Sequence, residues 1–209
     1  MSRAALRATT LLVPLALAAL TGCGGAPAAS PAPAVPAPRI APASAAPAAA
    51  PADAPTATAM PDSAPVRVRI PSAGVDTSPV LELGLAADDT VEVPSVADAD
   101  RIGWYTKGVT PGRTGPAVLI GHFDTARGPA VLKDVSRVRT GDEITVSRAD
   151  GTTAAFRVRE LEQVDKKHFP TAKVYGDTTR PELRVITCGG EITDGHRPDN
   201  IILYADLVG

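Results

Sequence analysis

A mainly β fold, a closed barrel of about eight short strands, is what the sequence predicts, and three observations carry the prediction. Short alternating or β-branched apolar runs recur from Pro65 onward. Clusters of Gly, Pro and Asp separate them. Only two gaps are left for helices, and both are short.

Taken in order, Val66, Val68 and Ile70 alternate with Arg67 and Arg69, the pattern of a half-buried strand. Similar runs lie at Val80–Leu83, Thr90–Val93, Ala117–Gly121, Glu143–Arg148 and Phe156–Val164. Val185 and Ile186 lead into Cys188, and Ile201–Leu207 follows Arg197, which completes the count. Turns are expected at Pro71–Gly74, Thr110–Gly115, Thr140–Asp142 and Asp150–Gly151. Short helices are expected at Val131–Val138 and around Phe169–Tyr175. Many short strands with turns between them favour a closed barrel or a sandwich. There is no internal repeat and no glycine-rich phosphate loop.

Upstream of this domain the chain changes character twice. Arg3 and Arg7 precede an apolar run from Thr9 to Leu20 that Pro14 interrupts, the pattern of an export signal. The run falls short of the roughly 20 residues that span a bilayer. Residues 1–23 thus read as a signal peptide with a lipobox-like end: Leu20, Thr21, Gly22 and Cys23 resemble a bacterial lipobox, which implies cleavage ahead of Cys23, leaving it the first mature residue and carrying acyl chains. An uncleaved signal anchor is the alternative, and both readings tether the protein outside the cytoplasm. Residues 24–64 are almost entirely Ala, Pro, Ser and Thr, with no apolar face on which a core forms, and are expected to be a disordered linker. Residues 65–209, about 145 in number, suffice for one domain that buries a core without disulfides.

Composition excludes one class of partner. Beyond Cys23 the formal charge is about −4, and the basic residues are scattered among acidic ones without aromatic interleaving, so no nucleic-acid footprint is present. No paired-ligand spacing for a metal is present, and neither metal nor cofactor is expected.

Within the domain Cys188 is the one cysteine, and an unpaired thiol in an exported chain is a candidate nucleophile. It stands at the end of a strand run, before Gly189 and Gly190, in RVITCGGEITDGHRPDN (184–200). His122 follows the Ala117–Gly121 run directly, and Arg197 precedes the last run. Cys188, His122 and Arg197 thus fall at three strand ends. A free thiol near pKa 8.5 is only about 3% thiolate at pH 7, so it requires a base or cation nearby. His168 and His196 are the other histidines; one lies in a loop beside Lys166 and Lys167, the other adjoins Arg197. Thr187, Asp124 and Gly189 are candidate supporting residues: Thr187 for substrate or Arg197, Asp124 for His122 or the groove, Gly189 for close approach or a turn.

In this order and spacing the motifs VRVRIPSAGV, RIGWY, LIGHFDT, GDEI, ITCGG and RPDN resemble the sortases, most closely the actinobacterial class F, or class E. The resemblance covers nearly the whole domain and implies a sortase-like barrel. It departs from the family at Arg184 and Val185, which stand where a TLxTC signature has threonine and leucine. What the resemblance implies is an exported cysteine transpeptidase. Cys188 would attack an LPxTG-like sorting peptide and form a thioacyl enzyme. His122 would serve as acid and then base, and Arg197 would steady the oxyanion. The acceptor would be an amine of peptidoglycan precursor or another surface protein. The stretch from Glu162 to Thr178 would wall the groove. Two other readings compete. A non-catalytic barrel of the same kind would bind a peptide or wall component. An L,D-transpeptidase would place His and Gly just before the cysteine, where Ile186 and Thr187 stand.

Overall fold

Alternating runs become sheet nearly everywhere they occur. The computed structural model describes Ile40 and residues 57–208; the signal segment with Cys23 and most of the Ala/Pro-rich stretch lie outside the described residues. The described strands are β1 (Pro65–Ile70), β2 (Val75–Thr77), β3 (Leu81–Leu83), β4 (Ile102–Tyr105), β5 (Gly115–Gly121), β6 (Asp124–Thr125), β7 (Gly128–Pro129), β8 (Glu143–Arg148), β9 (Thr153–Asp165), β10 (Pro181–Gly189) and β11 (Asp199–Val208). Nine of them form one sheet in the order β2-β1-β8-β9-β11-β10-β5-β4-β3, curled into a half-barrel, and β6 with β7 makes a small hairpin. The mainly β class is as expected.

Burial explains why the central strands carry continuous apolar runs. Every residue of β5, GPAVLIG, is buried, so it packs on both faces and loses the alternation that marks β1. One face of the sheet carries the main core, including Val68, Ile102, Leu119, Phe156, Leu183, Val185 and Leu203. The other carries a smaller cluster of Val118, Ile120, Val174, Ile186, Ile202 and Tyr204, where the single-turn helix α1 (Thr171–Tyr175) supplies Val174.

The elements differ from expectation in three ways. Thr90–Val93 makes one isolated bridge, Leu85 with Val91, and no strand: Asp88 caps the Thr90 amide and hydroxyl, the Glu92 carboxylate takes the Gly84 amide, and Pro94 follows. Val131–Val138 yields only a 3₁₀ turn at Val135–Arg137. β2 and β4 were not expected, being three and four residues long, too short for a period to show.

Residues 57–64, the end of the Ala/Pro-rich stretch, lie along the barrel. Met60 and Ala64 pack on the core. The Met60 amide donates to Gly112 O at 2.8 Å and the Ala149 amide to Ala64 O at 2.8 Å. The fully buried Arg148 guanidinium donates to Pro61 O, and Arg113 pairs with Asp62.

Beneath α1 the sheet holds a compact charge cluster. Glu182, 4% exposed, accepts from Arg159 at 2.9 Å, Arg180 at 3.0 Å and the equally buried Arg184 at 2.6 Å. Burial pushes the Glu182 carboxyl up, but the hydrogen bonds from Arg180 and Arg184, with the charges of Arg159 and Arg184, outweigh it and hold the pKa below its ordinary value. A depressed carboxyl stabilises the fold above its unfolded pKa, and that stability disappears as pH falls through the folded value. Glu182→Gln is therefore expected to lose about 2 kcal/mol in urea unfolding at pH 7, with the gap to wild type shrinking as pH drops below about 4.

Candidate active site

The parallel ladder between β5 and β10 builds the site. Its register runs from Pro181 opposite Gly115 to Ile186 opposite Ile120. Two residues beyond the last pair stand Cys188 on one strand and His122 just past the other, at the same level of the sheet. Both line one cleft of about 1420 Å³, together with Thr187 and the aromatic side chains of Trp104, Phe169 and Tyr175. The Cys188 thiol is free and half-buried. On its other side β10 pairs with β11, with Cys188 opposite Asn200, so Arg197 enters the site three residues ahead of that pair.

The ring of His122 is fixed by a short contact. Its Nε2 lies 2.6 Å from Pro94 O, and because a carbonyl only accepts, Nε2 carries the proton and donates. That leaves Nδ1 as the nitrogen with the lone pair. Pro94 ends the loop in which the expected strand was absent, and that loop also brings Val93 to the cleft.

Arg197 is 6% exposed and is not among the residues that line the cleft. Its Nε and Nη2 donate to the two carboxylate oxygens of Asp124 at 2.9 and 2.6 Å, and Nη1 donates to Gly190 O at 2.6 Å. The guanidinium also lies 4.6 Å from the Phe123 ring centroid. Hydrogen bonding to Asp124 raises the Arg197 pKa from its ordinary value, burial opposes the rise, and the charges of Asp124, Cys188 and Glu191 add to it. Asp124 therefore holds Arg197, not His122.

The remaining expected residues take definite places. Thr187 is buried, lines the cleft, and its Oγ1 has no hydrogen-bond partner. A Cβ on Gly189 would lie 2.8 Å from Ile201 Cγ1, so the glycine is there for packing on β11. Gly190, at φ +81°, makes the turn after the strand. His168 and His196 lie outside the cleft, and His196 Nδ1 contacts Asp194 O at 2.8 Å. Trp104 is nearly buried, its Nε1 donating to Val109 O at 3.0 Å. From the 162–178 stretch, Lys166, Phe169, Thr171, Tyr175 and Asp177 reach the cleft. Sequence reasoning passed over Lys166, whose Nζ lies 3.6 Å from Cys188 Sγ, and over Pro94; neither sits in a motif that signals chemistry.

A family model for the sortase domain matches residues 68–208. The chain belongs to the sortase family. Sortases are cysteine transpeptidases of the cell surface that act on sorting-signal peptides and amine acceptors. The half-barrel is shared with solved structures. The lid mutant of Corynebacterium diphtheriae sortase A aligns over 72% of this chain and 73% of its own, at 16% identity and TM-score 0.54. Sortase C-1 of Actinomyces oris aligns over 69% and 75%, at 20% identity and TM-score 0.52. The lid mutant of Streptococcus agalactiae sortase C1 aligns over 68% and 67%, at 14% identity and TM-score 0.53. At these identities the likeness is one of fold. Among curated proteins none matches this chain. Among the described residues of this sortase, no helix is long and apolar enough to cross a membrane.

Removing the carboxylate that holds Arg197 would leave a buried guanidinium without its main counter-charge. Asp124→Ala is expected to cost about 3 kcal/mol of stability, read as a lower urea midpoint at pH 7, and Asp124→Asn less, since an amide oxygen still accepts one bond.

Proposed function

We propose that this sortase is an exported transpeptidase acting through a thioacyl enzyme on Cys188, of a kind most like the actinobacterial class F, or class E. The observation that carries the reading is the parallel register that sets Cys188 and His122 at the same level of the sheet, both lining one aromatic-lined cleft. The thiolate of Cys188 attacks the carbonyl carbon of an LPxTG-like sorting peptide, and the carbonyl oxygen takes the negative charge. Arg197, locked by Asp124, supplies positive charge at that oxyanion. His122 protonates the leaving amine as the C–N bond breaks, which leaves a thioester on sulfur. It then removes a proton from the incoming amine of a peptidoglycan precursor or another surface protein, and the thiolate departs as the new amide forms. Thr187, whose buried hydroxyl lacks a partner, supports the bound peptide backbone, and Gly189 keeps β10 close to β11 beside it.

The anchoring belongs to the same reading. A signal peptide ending at the lipobox directs export, Cys23 carries the lipid that ties the enzyme to the membrane, and the linker from residue 24 to the packed segment at 57–64 lets the domain face the wall.

Incubating the purified protein with a pool of LPxTG-like and LAxTG-like peptides and an amine acceptor, and reading intact mass, tests the mechanism. An acyl adduct that maps to Cys188 and an amine-linked product are expected. Cys188→Ala should form neither, and transfer that persists in that variant overturns the proposal. Arg197→Ala should lower the rate roughly a hundredfold to a thousandfold while still forming the adduct slowly.

A further inference from the structure

Three basic side chains share the neighbourhood of Cys188, and they are not equivalent: His122 and Lys166 line its cleft, and Arg197 lies close enough to feel its charge. Arg197 is matched by the two-pronged carboxylate of Asp124. The His122 ring is held by Pro94 O. Lys166 brings its Nζ to 3.6 Å from Sγ, within hydrogen-bonding distance for sulfur. No carboxylate pairs with Lys166 among the described residues.

The backbone holds this lysine in place although its side chain is exposed. Lys166 opens a 3₁₀ turn directly after β9, where Asp165 caps the turn by accepting from the Lys167 amide at 2.7 Å. The Lys166 amide itself donates to Pro198 O at 3.0 Å, one residue past Arg197. The lysine and the arginine are thus tied to the same stretch of chain. The other charged groups nearby are Glu191 beyond β10 and Asp199 opposite Gly189, and the Asp199 carboxylate accepts from Gln163 at 2.6 Å.

We infer that Lys166 is a third cationic member of the active site, whose ammonium pairs with the Cys188 thiolate. This rests on the proposal that Cys188 is the nucleophile. The pairing acts twice in the cycle. Before attack it raises the fraction of thiolate that His122 alone would sustain. In the second half the incoming amine attacks the thioester carbon, its proton passes to His122, the C–S bond breaks and the electron pair stays on sulfur. That sulfur departs as a thiolate beside the ammonium, which makes it a better leaving group.

Alkylation by iodoacetamide tests the pairing without any peptide substrate. The rate at Cys188, followed by peptide mapping from pH 5 to 10, would be compared in wild type, Lys166→Met and Lys166→Arg, with thermal melting to confirm that each is folded. Lys166→Met should shift the midpoint of the profile upward by about one unit and slow alkylation at pH 7 by roughly tenfold. Lys166→Arg should restore most of the wild-type profile, which a purely structural role for the side chain would not require. Superimposable profiles for wild type and Lys166→Met overturn the inference. The two proposals fail separately. If alkylation shifts as stated but no peptide acylates Cys188, the transpeptidase reading falls and the ion pair stands. If acylation occurs and the profiles coincide, the reverse holds.

Discussion

One parallel strand pairing governs this molecule. β5 and β10 are far apart in sequence, and their six register pairs decide that the residues just past Ile120 and Ile186 meet at one edge of the sheet. A one-residue slip would turn the side chains of β10 to opposite faces, sending Cys188 away from the cleft and the apolar residues between Leu183 and Ile186 out of their two cores. Burial on both faces prevents that slip, because each register position of β5 and β10 is filled by a side chain or glycine with no other place to go. Chemistry at this edge thus depends on apolar packing further down the same two strands.

The second constraint is electrostatic. Near the cleft a positive guanidinium is buried, and it is tolerable there because Asp124 accepts two hydrogen bonds from it and Gly190 O a third. Arg197 and Asp124 lie 73 positions apart in the sequence. Their meeting therefore closes the β6 end of the hairpin against the turn after Cys188. A planar fork suits this role in a way that an ammonium would not, since lysine offers no fixed pair of parallel donors.

Much of this was legible in the sequence. Alternating runs gave β1 and β8 nearly to the residue and β11 to within two, since period two is visible in six residues or more, whereas of β10 only the half from Val185 onward was read. The three strand-end positions of His122, Cys188 and Arg197 followed from the same runs. Partnership was not legible. Asp124 reads locally as a loop carboxylate two residues past a histidine, and only the fold reveals that an arginine 73 positions away faces it. Lys166 looked like one of a pair of surface lysines, and its contact with sulfur depends on the turn after β9 meeting Pro198. The Thr90–Val93 run misled because its side chains and neighbouring turn compete for the hydrogen bonds a strand would use.

The attachment of residues 57–64 bears on where this protein ends as a folding unit. The family match starts at Val68, yet Arg148, buried within β8, gives one of its donors to Pro61 O. A shortened chain that keeps every family position would strand that guanidinium in the interior, and Met60 would vacate its place against Gly112. The smallest autonomous piece is accordingly longer than the conserved-domain outline. The low-complexity segment that resembles mere tether contributes its last turn of chain to the cooperative core.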